Sequence, residues 1–436
     1  MKYKRSSHKK KTNGTVRGVA ASRLQQVSEL LQRVLSFSEP ADLCVSRYFR
    51  EHSHLGARDR AQIAPAVFDV LRHLRRYRHD AQLQAGKLEE LLAARGLSAT
   101  LDQTVAASVI PVEFQSWVQH CEAVDSSSLA GTVRFSLPEW IYDALTQLDD
   151  GESYAESLLR GAPLDIRVNS LKGSRDDVLQ SVNEILADTA YRAEATTYAS
   201  LGIRLTGHPP INRWHLYEQG VIEVQDEGSQ LLSQLVGAKR GEMVIDFCAG
   251  AGGKTLALGA MMRSTGTLYA FDISTTRLAR AKPRFARSGL SNIHPVAIRH
   301  ERDDRVARLR GKAHRVLVDA PCTGLGTLRR NPDLKWRQSP EQLARLQEQQ
   351  ASILSQAATT VRDGGVLVYA TCSFLREENE QQVEQFLALN PAFELQDARE
   401  RLPEVLHDAV DQQGMLRLRP DRHGTDGFFA AIMRKK

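Results

Sequence analysis

One stretch, residues 243–255, constrains the fold more than any other part of the chain. It reads Met-Val-Ile-Asp-Phe-Cys-Ala-Gly-Ala-Gly-Gly-Lys-Thr, and its apolar run Met243–Phe247 predicts a buried strand of a parallel sheet. Three of the next six residues are glycines, so the backbone there can turn sharply and approach a ligand closely. Residues 254–262 predict a helix. A strand, a glycine-rich loop and a helix in this order indicate a doubly wound α/β fold, which binds ligands at the carboxyl ends of its strands.

Three kinds of ligand occur on loops of this type. A phosphate-binding P-loop requires glycine six residues before its lysine, and that position here is Cys248. A dinucleotide-binding Gly-x-Gly-x-x-Gly motif that starts at Gly250 requires glycine where Thr255 stands. The third ligand is S-adenosylmethionine, whose cationic methionine end an acidic residue such as Asp246 complements. A loop with a purely structural role is the remaining alternative.

Length and composition limit the class of protein. A chain of 436 residues predicts two or three domains, and a net charge of +6 fits an anionic partner. The five cysteines are far apart and match neither a disulfide framework nor a metal-binding pattern, so we expect no metal. No apolar run reaches the ~18 residues that span a bilayer, and the basic start lacks the apolar core of a signal peptide. We therefore expect no membrane partner and a location in the reducing cytoplasm.

The first 130 residues predict a basic flexible arm, residues 1–20, and a helical domain, residues 21–130. Apolar residues recur at three- and four-residue spacing in two runs, 24–35 and 63–74. Arginines cluster on the outer face of the second run: Arg58, Arg60, Arg72, Arg75, Arg76 and Arg78. Clustered arginines bind phosphates and release counterions, so we interpret this face as RNA-binding rather than merely solvated. The segments Leu55-Gly-Ala-Arg-Asp-Arg and Val70-Leu-Arg-His-Leu loosely resemble the NusB-like helical RNA-binding domain.

Two further segments complete the predicted domain organisation. Residues 131–220 show a strand–helix–strand pattern, which predicts a small α+β RNA-binding module. Residues 221–436 follow the doubly wound repeat, with further strands at 267–272, 296–298, 315–319 and 365–371 and an edge strand at 428–433. The predicted fold class is α/β: a Rossmann-like doubly wound domain, preceded by the small α+β module and an all-helical N-terminal domain.

The later strands of the repeat are followed by acidic and thiol side chains at the ligand-binding edge. Asp272 ends the second strand, where an acid commonly holds the ribose hydroxyls of an adenosine cofactor. Asp319 and Cys322 follow the fourth strand, and Cys372 follows the fifth. These two strands are neighbours in a doubly wound sheet, so we expect both cysteines to face one cleft. The alternative is that both are buried small apolar residues, the commonest role of free cysteine.

A cysteine and an acid near a methyl donor make one reaction feasible. Carbon 5 of cytosine is too electron-poor to attack a sulfonium methyl group, but addition of a thiolate to carbon 6 makes it nucleophilic. An acid beside nitrogen 3 favours that addition by neutralising developing charge, and Asp319 suits this role. After methyl transfer a base removes the carbon-5 proton and the thiol leaves.

Four motifs support a resemblance to a known family. They are Gln225-Asp-Glu-Gly-Ser, Cys248-Ala-Gly-Ala-Gly-Gly-Lys-Thr, Asp319-Ala-Pro-Cys-Thr-Gly and Ala370-Thr-Cys-Ser. Together, and in this order, they resemble the RNA cytosine-C5 methyltransferases of the RsmB/NOP class over residues 131–436. The NusB-like front end makes the RsmB-like branch, which acts on small-subunit ribosomal RNA, the most similar one.

The resemblance implies a role for each matched residue. It makes Cys372 the nucleophile and Cys322 the second cysteine, which helps to release the product. It surrounds S-adenosylmethionine with Cys248, Ala249, Gly250, Ala251, Gly252, Gly253, Lys254, Asp272, Asp303 and Asp319. The family usually has proline where this chain has Ala251, which changes the stiffness of the loop. Asp303 is preferred to Asp304 because Asp303-Asp-Arg matches the family's Asp-x-Arg pattern. The related DNA enzymes use the cysteine equivalent to Cys322 as nucleophile, so the assignment of Cys372 rests on Thr371-Cys-Ser.

The loop Thr327–Arg337 predicts a further RNA contact. Its four cations, Arg329, Arg330, Lys335 and Arg337, are candidates for phosphate binding, and Trp336 is a candidate for base stacking. The alternative is a solvated loop with Trp336 packed inward. The target base has to leave its stack to reach Cys372. Two rival functions are a non-catalytic RNA-binding or ribosome-assembly factor, which the intact Cys372 and Asp319 disfavour, and a nucleotide hydrolase, which Cys248 disfavours.

Overall fold

The structure, a computed structural model, describes the backbone of residues 14–436 and the side chains from Arg23 onward. Residues 1–13 of the predicted basic arm lie outside the described residues, and residues 14–20 belong to the first helix. The chain divides into two compact units. The first comprises the chain up to Leu159 together with Asn331–Arg337, and the second comprises Arg160–Arg330 and Gln338–Lys436. The first unit extends past residue 130, where the sequence predicts the end of the helical domain, and the four-domain division stays a prediction.

The first unit is helical, as the three- and four-residue spacing predicts. Its helices, in chain order, are α1 (Gly14–Val34), α2 (Ala41–Glu51), α3 (Ala57–Arg72), α4 (Leu74–Ala81), α5 (Leu88–Thr100), α6 (Gln103–Val109), α7 (Val112–Ala123), α8 (Gly131–Arg134), α9 (Glu139–Thr146) and α10 (Gly151–Ser157). The predicted apolar runs form its core: Leu30 and Leu31 of α1 pack with Ile63 and Leu71 of α3. Burying one face of each helix stabilises this unit mainly through the hydrophobic effect.

The remaining helices surround the sheets of the second unit, apart from one short helix. They are α11 (Arg175–Leu186), α12 (His215–Glu218), α13 (Glu227–Val236), α14 (Gly253–Met261), α15 (Thr275–Ser288), α16 (Asp304–Ala307), α17 (Leu334–Arg337), α18 (Pro340–Thr360), α19 (Glu380–Leu389) and α20 (Pro420–His423). Helix α17 belongs to the first unit. Short 3₁₀ turns lie at Ser126–Ser128, Ile211–Arg213, Leu325–Thr327, Ala398–Arg401 and Glu404–Ala409. Over residues 14–436, no helix is both long enough and apolar enough to cross a membrane.

The strands form two sheets. They are β1 (Leu164–Val168), β2 (Ala193–Ala195), β3 (Gly202–Leu205), β4 (Ile222–Val224), β5 (Met243–Asp246), β6 (Thr267–Asp272), β7 (Ile293–Ala297), β8 (Ala313–Asp319), β9 (Val361–Thr371), β10 (Phe393–Gln396), β11 (Leu416–Leu418) and β12 (Phe428–Lys435). The smaller sheet is antiparallel with the order β2-β3-β1-β4. Its core is formed by Ile166, Ile203 and Ile222 with Val182 of α11. Its β1, α11 and β3 follow the strand–helix–strand pattern that the sequence predicts, whereas β4 lies beyond residue 220, so the bounds of the predicted α+β module and its RNA binding stay predictions.

The larger sheet has the order β10-β12-β9-β8-β5-β6-β7, and β11 pairs with β12. Five strands of this sheet are parallel to one another, in the order β7-β6-β5-β8-β9, whereas β12 is antiparallel to β9. The predicted edge position of β12 is wrong, because β10 covers its other side. A strand buried on both sides explains why Phe428–Met433 contains no charged residue.

Both faces of the larger sheet are covered, which is why its strands read as continuous apolar runs. Val244, Leu317 and Val368 contribute to the core on one face together with Leu231 of α13. Their neighbours Ile245 and Val318 contribute to the core on the opposite face, together with α18. This arrangement confirms the doubly wound fold and the central strands β5, β6, β8 and β9 that the sequence predicts.

Candidate functional site

The carboxyl ends of the central strands meet at one edge of the larger sheet. Strand β5 ends at Asp246, β6 at Asp272 and β8 at Asp319, and β9 ends at Thr371. Strand β5 has β6 on one side and β8 on the other, so the chain reverses its direction of winding between β5 and β8. A crevice at such a reversal is the expected ligand site of a doubly wound sheet.

A cavity of about 750 Å³ lies at this edge, entirely within the second unit. Its size is in the range of sites for small molecules and cofactors. Most of the residues that the sequence singles out line it: Cys248, Ala249, Gly250, Ala251, Gly253, Lys254, Asp272, Asp319, Cys322 and Cys372. Gly252 and Asp303 are predicted site residues that do not line the cavity.

The glycine loop has two residues in the left-handed backbone region, each for a different reason. Gly250 has φ +54° and open space where a side chain would begin, so the backbone remains accessible from the cavity. Gly252 has φ +83°, and a Cβ atom there would lie 2.4 Å from the Phe285 ring. Gly252 therefore allows α14 to begin close against α15, and its contribution to the site is structural.

Asp246 lies beneath this loop rather than in the cavity, which corrects the suggestion that it complements a bound cation. Its side chain is fully buried, and Oδ2 accepts a hydrogen bond of 2.7 Å from the Thr255 hydroxyl. Burial raises the pKa of the Asp246 carboxyl to about 7. The residue therefore ties β5 to α14 and sets the position of the loop.

Asp272 and Asp303 each hold backbone amides. Asp272 accepts hydrogen bonds from the amides of Gly250 and Ser274, both at 2.7 Å, and thus joins the glycine loop to the end of β6. Asp303 accepts from the amides of Arg299 and Arg305, both at 3.0 Å, and these bonds lower the pKa of its carboxyl to about 2. Because Arg299 lines the cavity and Asp303 does not, Asp303 shapes the wall from behind.

The two cysteines converge as predicted. The Sγ atoms of Cys322 and Cys372 are 3.3 Å apart, although 49 residues separate them in the chain. The hydrogen bond with Cys372 and burial together raise the pKa of the Cys322 thiol well above its ordinary value. The convergence on one cavity is confirmed, and the separate roles of the two thiols stay predictions.

A buried glutamate holds the loop that carries Cys322. Glu378 is fully buried, and its carboxylate accepts from the backbone amide of Thr323 at 2.8 Å and from its hydroxyl at 2.5 Å. The side-chain amide of Gln350 donates to the same carboxylate at 2.9 Å and to the Pro321 carbonyl, also at 2.9 Å. These bonds fix the backbone on both sides of Cys322.

Lys254 and Asp319 form an ion pair at the cavity wall, with 2.7 Å between Nζ and Oδ2. Burial opposes the charge on Lys254, but the Asp319 carboxylate outweighs this effect and raises the pKa of the ammonium group. Cys372 lines the same cavity as this pair. The pair brings a positive and a negative group to the predicted nucleophile.

An arginine bridge in the cavity wall is not predicted by the sequence. Arg330 contacts Asp226 at 2.7 Å and Asp426 at 2.5 Å, and all three residues line the cavity. Burial and the neighbouring Asp226 raise the pKa of Asp426 to about 7. Asp226 and Asp426 lie two hundred residues apart in the chain, and nothing in that spacing predicts a shared partner.

The structure contradicts the prediction that the cations of Thr327–Arg337 face RNA. Lys335 is buried, and its Nζ donates to the Arg72 carbonyl at 2.6 Å. The Trp336 indole donates to the Leu71 carbonyl at 2.9 Å and packs on the helical core. Arg337 pairs with Asp333, and Arg329 donates to backbone carbonyls, including that of Thr425. These side chains are structural, and the alternative of an inward-packed tryptophan is correct.

The arginine face of the helical unit is also partly structural. Arg75 donates to the Leu137 carbonyl and pairs with Glu139, and Arg76 pairs with Asp80 at 2.9 Å. Arg58 and Arg78 are exposed. The predicted phosphate-binding face is therefore smaller than the sequence suggests, and its role in RNA binding stays a prediction.

Comparisons with known proteins point to one family. Residues 233–434 match the family model described as 16S rRNA methyltransferase RsmB/F. A protein of Bacillus subtilis named probable ribosomal RNA small subunit methyltransferase B is 35% identical over 62% of this chain and 59% of its own length. A Synechocystis protein of the same name is 34% identical over 72% of this chain and 70% of its own length. The chain thus spans less than two thirds of the first relative and more than two thirds of the second.

Solved structures share the fold. A methyltransferase homologue from Pyrococcus horikoshii superposes with a TM-score of 0.60 and 28% identity, covering 72% of this chain and 100% of that one. The structure of PH0851 superposes with a TM-score of 0.76 and 24% identity, covering 95% of this chain and 99% of that one. At that identity the second likeness shows the fold alone.

Proposed function

Because this chain belongs to the RsmB/F family of 16S rRNA methyltransferases, we propose that it methylates carbon 5 of a cytosine in small-subunit ribosomal RNA through a covalent cysteine–carbon 6 adduct. One observation carries the proposal. Two thiols lie 3.3 Å apart in a cavity that also contains a glycine loop and an acid. A methyltransferase that modifies an exocyclic nitrogen or a ribose oxygen does not need a thiol pair, because those atoms are already nucleophilic.

The cavity residues fit S-adenosylmethionine as the methyl donor. The backbone at Gly250 is open to the cavity, and Asp272 lines the same wall where an adenosine ribose would bind. The loop lacks the P-loop glycine at Cys248, so a triphosphate is the poorer fit. We propose that residues 248–254 and Asp272 hold the cofactor and that Asp303 positions the loop beside it. When bound, S-adenosylmethionine supplies an electrophilic methyl group.

The reaction begins with the addition of the Cys372 thiolate to carbon 6 of the cytosine. A sulfur–carbon bond forms, and the electron pair of the 5,6 double bond moves toward carbon 5. Asp319 is proposed to share a proton with nitrogen 3, and Lys254 keeps this carboxyl in place at 2.7 Å. Carbon 5 would then take the methyl group as the methyl–sulfur bond of the bound donor breaks, with its electron pair left on the donor sulfur. A base removes the carbon-5 proton, the freed pair restores the 5,6 double bond, and the sulfur–carbon bond breaks to return the Cys372 thiolate.

Cys322 is proposed to assist the last step. It lies in contact with the sulfur that must leave, with 3.3 Å between the two Sγ atoms. The loop that carries it is held by Glu378, so the thiol keeps its position through the cycle. This division of roles matches the one that the family resemblance implies.

A trapping experiment tests the proposal. Cys372→Ala and Cys322→Ala are incubated with radiolabelled S-adenosylmethionine and unmodified small-subunit ribosomal RNA, and protein–RNA adducts are separated on a denaturing gel. We expect Cys322→Ala to accumulate a covalent adduct, and we expect Cys372→Ala to form neither adduct nor product. Cys121→Ala is the matched control, since this buried cysteine lies in the helical core, and it should transfer methyl groups like the wild type.

Two outcomes contradict the proposal. The reversed adduct pattern would make Cys322 the nucleophile. Absence of methyl transfer by the wild type to any ribosomal RNA would favour a non-catalytic RNA-binding or assembly factor. Mass spectrometry of nucleosides from the RNA product identifies the methylated atom, and 5-methylcytidine is the expected product.

A further inference from the structure

Positive charge is concentrated in one short part of the chain. Residues 275–312 contain eleven arginines and lysines and three acidic residues, a formal charge of +8, which exceeds the +6 of the entire chain. This segment comprises α15, β7 and α16 with their connecting loops.

The fold places these cations around the free edge of the larger sheet. Strand β7 is the last strand at this end of the sheet. Helix α15 buries Leu278, Ala281 and Phe285 on the side of the sheet that carries α14, and Val306 of α16 belongs to the core on the opposite side. Helices on the two sides of β7 therefore direct their polar faces away from the sheet.

Most of these side chains are exposed. Only Arg284 and Arg287 are half-buried, and both pair with Glu223. The exposed ones are Arg277, Arg280, Lys282, Arg299, Arg302, Arg305, Arg308, Arg310 and Lys312. Of the ion pairs within the described part of the chain, only two involve these nine, Arg299 with Asp303 at 3.5 Å and Arg302 with Glu301 at 3.9 Å. Little of this charge is neutralised within the protein.

The basic surface continues into the cavity. Arg277, Arg299 and His300 are exposed residues of this segment that also line the cavity wall. A polyanion bound along the β7 edge would therefore reach the mouth of the site over this surface, in which Glu301 is the acidic residue of the segment that lines the cavity. A nucleic-acid backbone carries one negative charge per nucleotide and therefore presents negative charge at regular spacing along such a path.

We propose that the exposed cations of residues 275–312, which we name the β7-edge surface, bind the sugar–phosphate backbone of the RNA that flanks the target cytosine. This inference rests on the proposed function and specifies where its substrate lies. As the proposed RNA contact it replaces the loop Thr327–Arg337, whose cations are bound by other groups of the protein. Contacts to phosphate carry no sequence information, so the surface contributes affinity and orientation rather than choice of base.

The test compares two triple variants with equal loss of charge. The first, Arg280→Gln, Lys282→Gln and Arg302→Gln, removes three cations of the β7-edge surface that do not line the cavity. The control, Lys239→Gln, Arg240→Gln and Arg362→Gln, removes three exposed cations near the amino ends of β5 and β9, away from the site. Affinity for a fluorescent RNA fragment of the small subunit is measured by anisotropy over a range of salt concentrations, with S-adenosylmethionine affinity and melting temperature as folding checks.

For three lost phosphate contacts we expect RNA affinity at low salt to fall by about tenfold or more, and the slope of log affinity against log salt to decrease by about 2. The control should keep wild-type affinity and slope. The proposal would be overturned if the two variants had the same RNA affinity, whether both kept it or both lost it equally. If the first variant kept the affinity of the wild type, the partner of this surface would instead be an acidic protein. If wild type binds RNA without methylating it while the first variant still loses affinity, the proposed reaction fails and the RNA-binding surface stands.

Discussion

Removal of Arg330 tests whether this residue stabilises the fold through its two ion pairs or binds RNA. Its guanidinium bridges Asp226 and Asp426, whose side chains are 7% and 2% exposed. Deletion of one partner from a buried ion pair costs about 3–5 kcal/mol, because the remaining charge loses its compensation. A domain of this size loses roughly 2 °C in melting temperature per kcal/mol, so Arg330→Ala should melt about 6–10 °C below the wild type at pH 8.

The loss should depend on pH in a defined direction. Burial and Asp226 already raise the pKa of Asp426 to about 7, and Arg330 is the group that lowers it. A carboxyl with a raised folded-state pKa is most favourable to folding when protonated, so its contribution decreases as pH rises from about 4 through 7. Without Arg330 this pKa rises further. The variant should therefore lie closer to the wild type at pH 5 than at pH 8.

Differential scanning fluorimetry at the two pH values measures both effects. In the Arg330→Ala background, Asp426→Asn should restore at least half of the loss at pH 8, because it removes one of the two uncompensated charges. Arg302→Ala is the control, since Arg302 is exposed and 3.9 Å from Glu301, and it should change stability by less than about 0.5 kcal/mol. An equal loss at pH 5 and pH 8, or a loss in RNA affinity with no change in melting temperature, would refute the bridge and return Arg330 to phosphate binding.

Three further predictions follow from single contacts. Gly252→Ala should weaken S-adenosylmethionine binding in calorimetry more than Gly250→Ala does, because both substitutions carry the left-handed backbone strain of about 1–2 kcal/mol and only the Cβ atom at residue 252 would also lie 2.4 Å from the Phe285 ring and displace the loop; equal effects would contradict this. Asp246→Asn should gain stability relative to the wild type as pH rises from about 4 to 7, by up to about 4 kcal/mol, since the raised pKa of Asp246 makes ionisation costly in the folded state; a pH-independent difference in urea unfolding would count against it. Trp336→Ala should destabilise the helical unit by about 2–3 kcal/mol, through the lost bond to the Leu71 carbonyl and lost packing, with little change in RNA affinity of the β7-edge surface; intact stability with weakened RNA binding would restore the base-stacking role.

The sequence alone determines the central part of the fold and most of the cavity. The apolar strand and glycine loop at 243–255 predict the start of the doubly wound sheet, and the acids at 272 and 319 and the cysteines at 322 and 372 follow predicted strands. These inferences succeed because a parallel sheet collects the carboxyl ends of its strands at one edge. Chain order and strand assignment are then enough to bring residues together, without knowledge of any side-chain contact.

Only the tertiary structure decides which charged residues are free to bind a partner. Arg330, Lys335 and Trp336 look like a nucleic-acid contact in the sequence, yet each is satisfied by a group that is distant in the chain. The sequence suggests that Asp246 and Asp303 bind a ligand, yet both carboxylates accept hydrogen bonds from other groups of the protein. The physical reason is that local spacing carries information about strands and helices, whereas the partner of a charge depends on long-range packing. The sequence around a basic residue does not show whether a carboxylate or carbonyl lies within 3 Å of its side chain. That proximity decides whether the side chain stabilises the fold or is free to bind RNA.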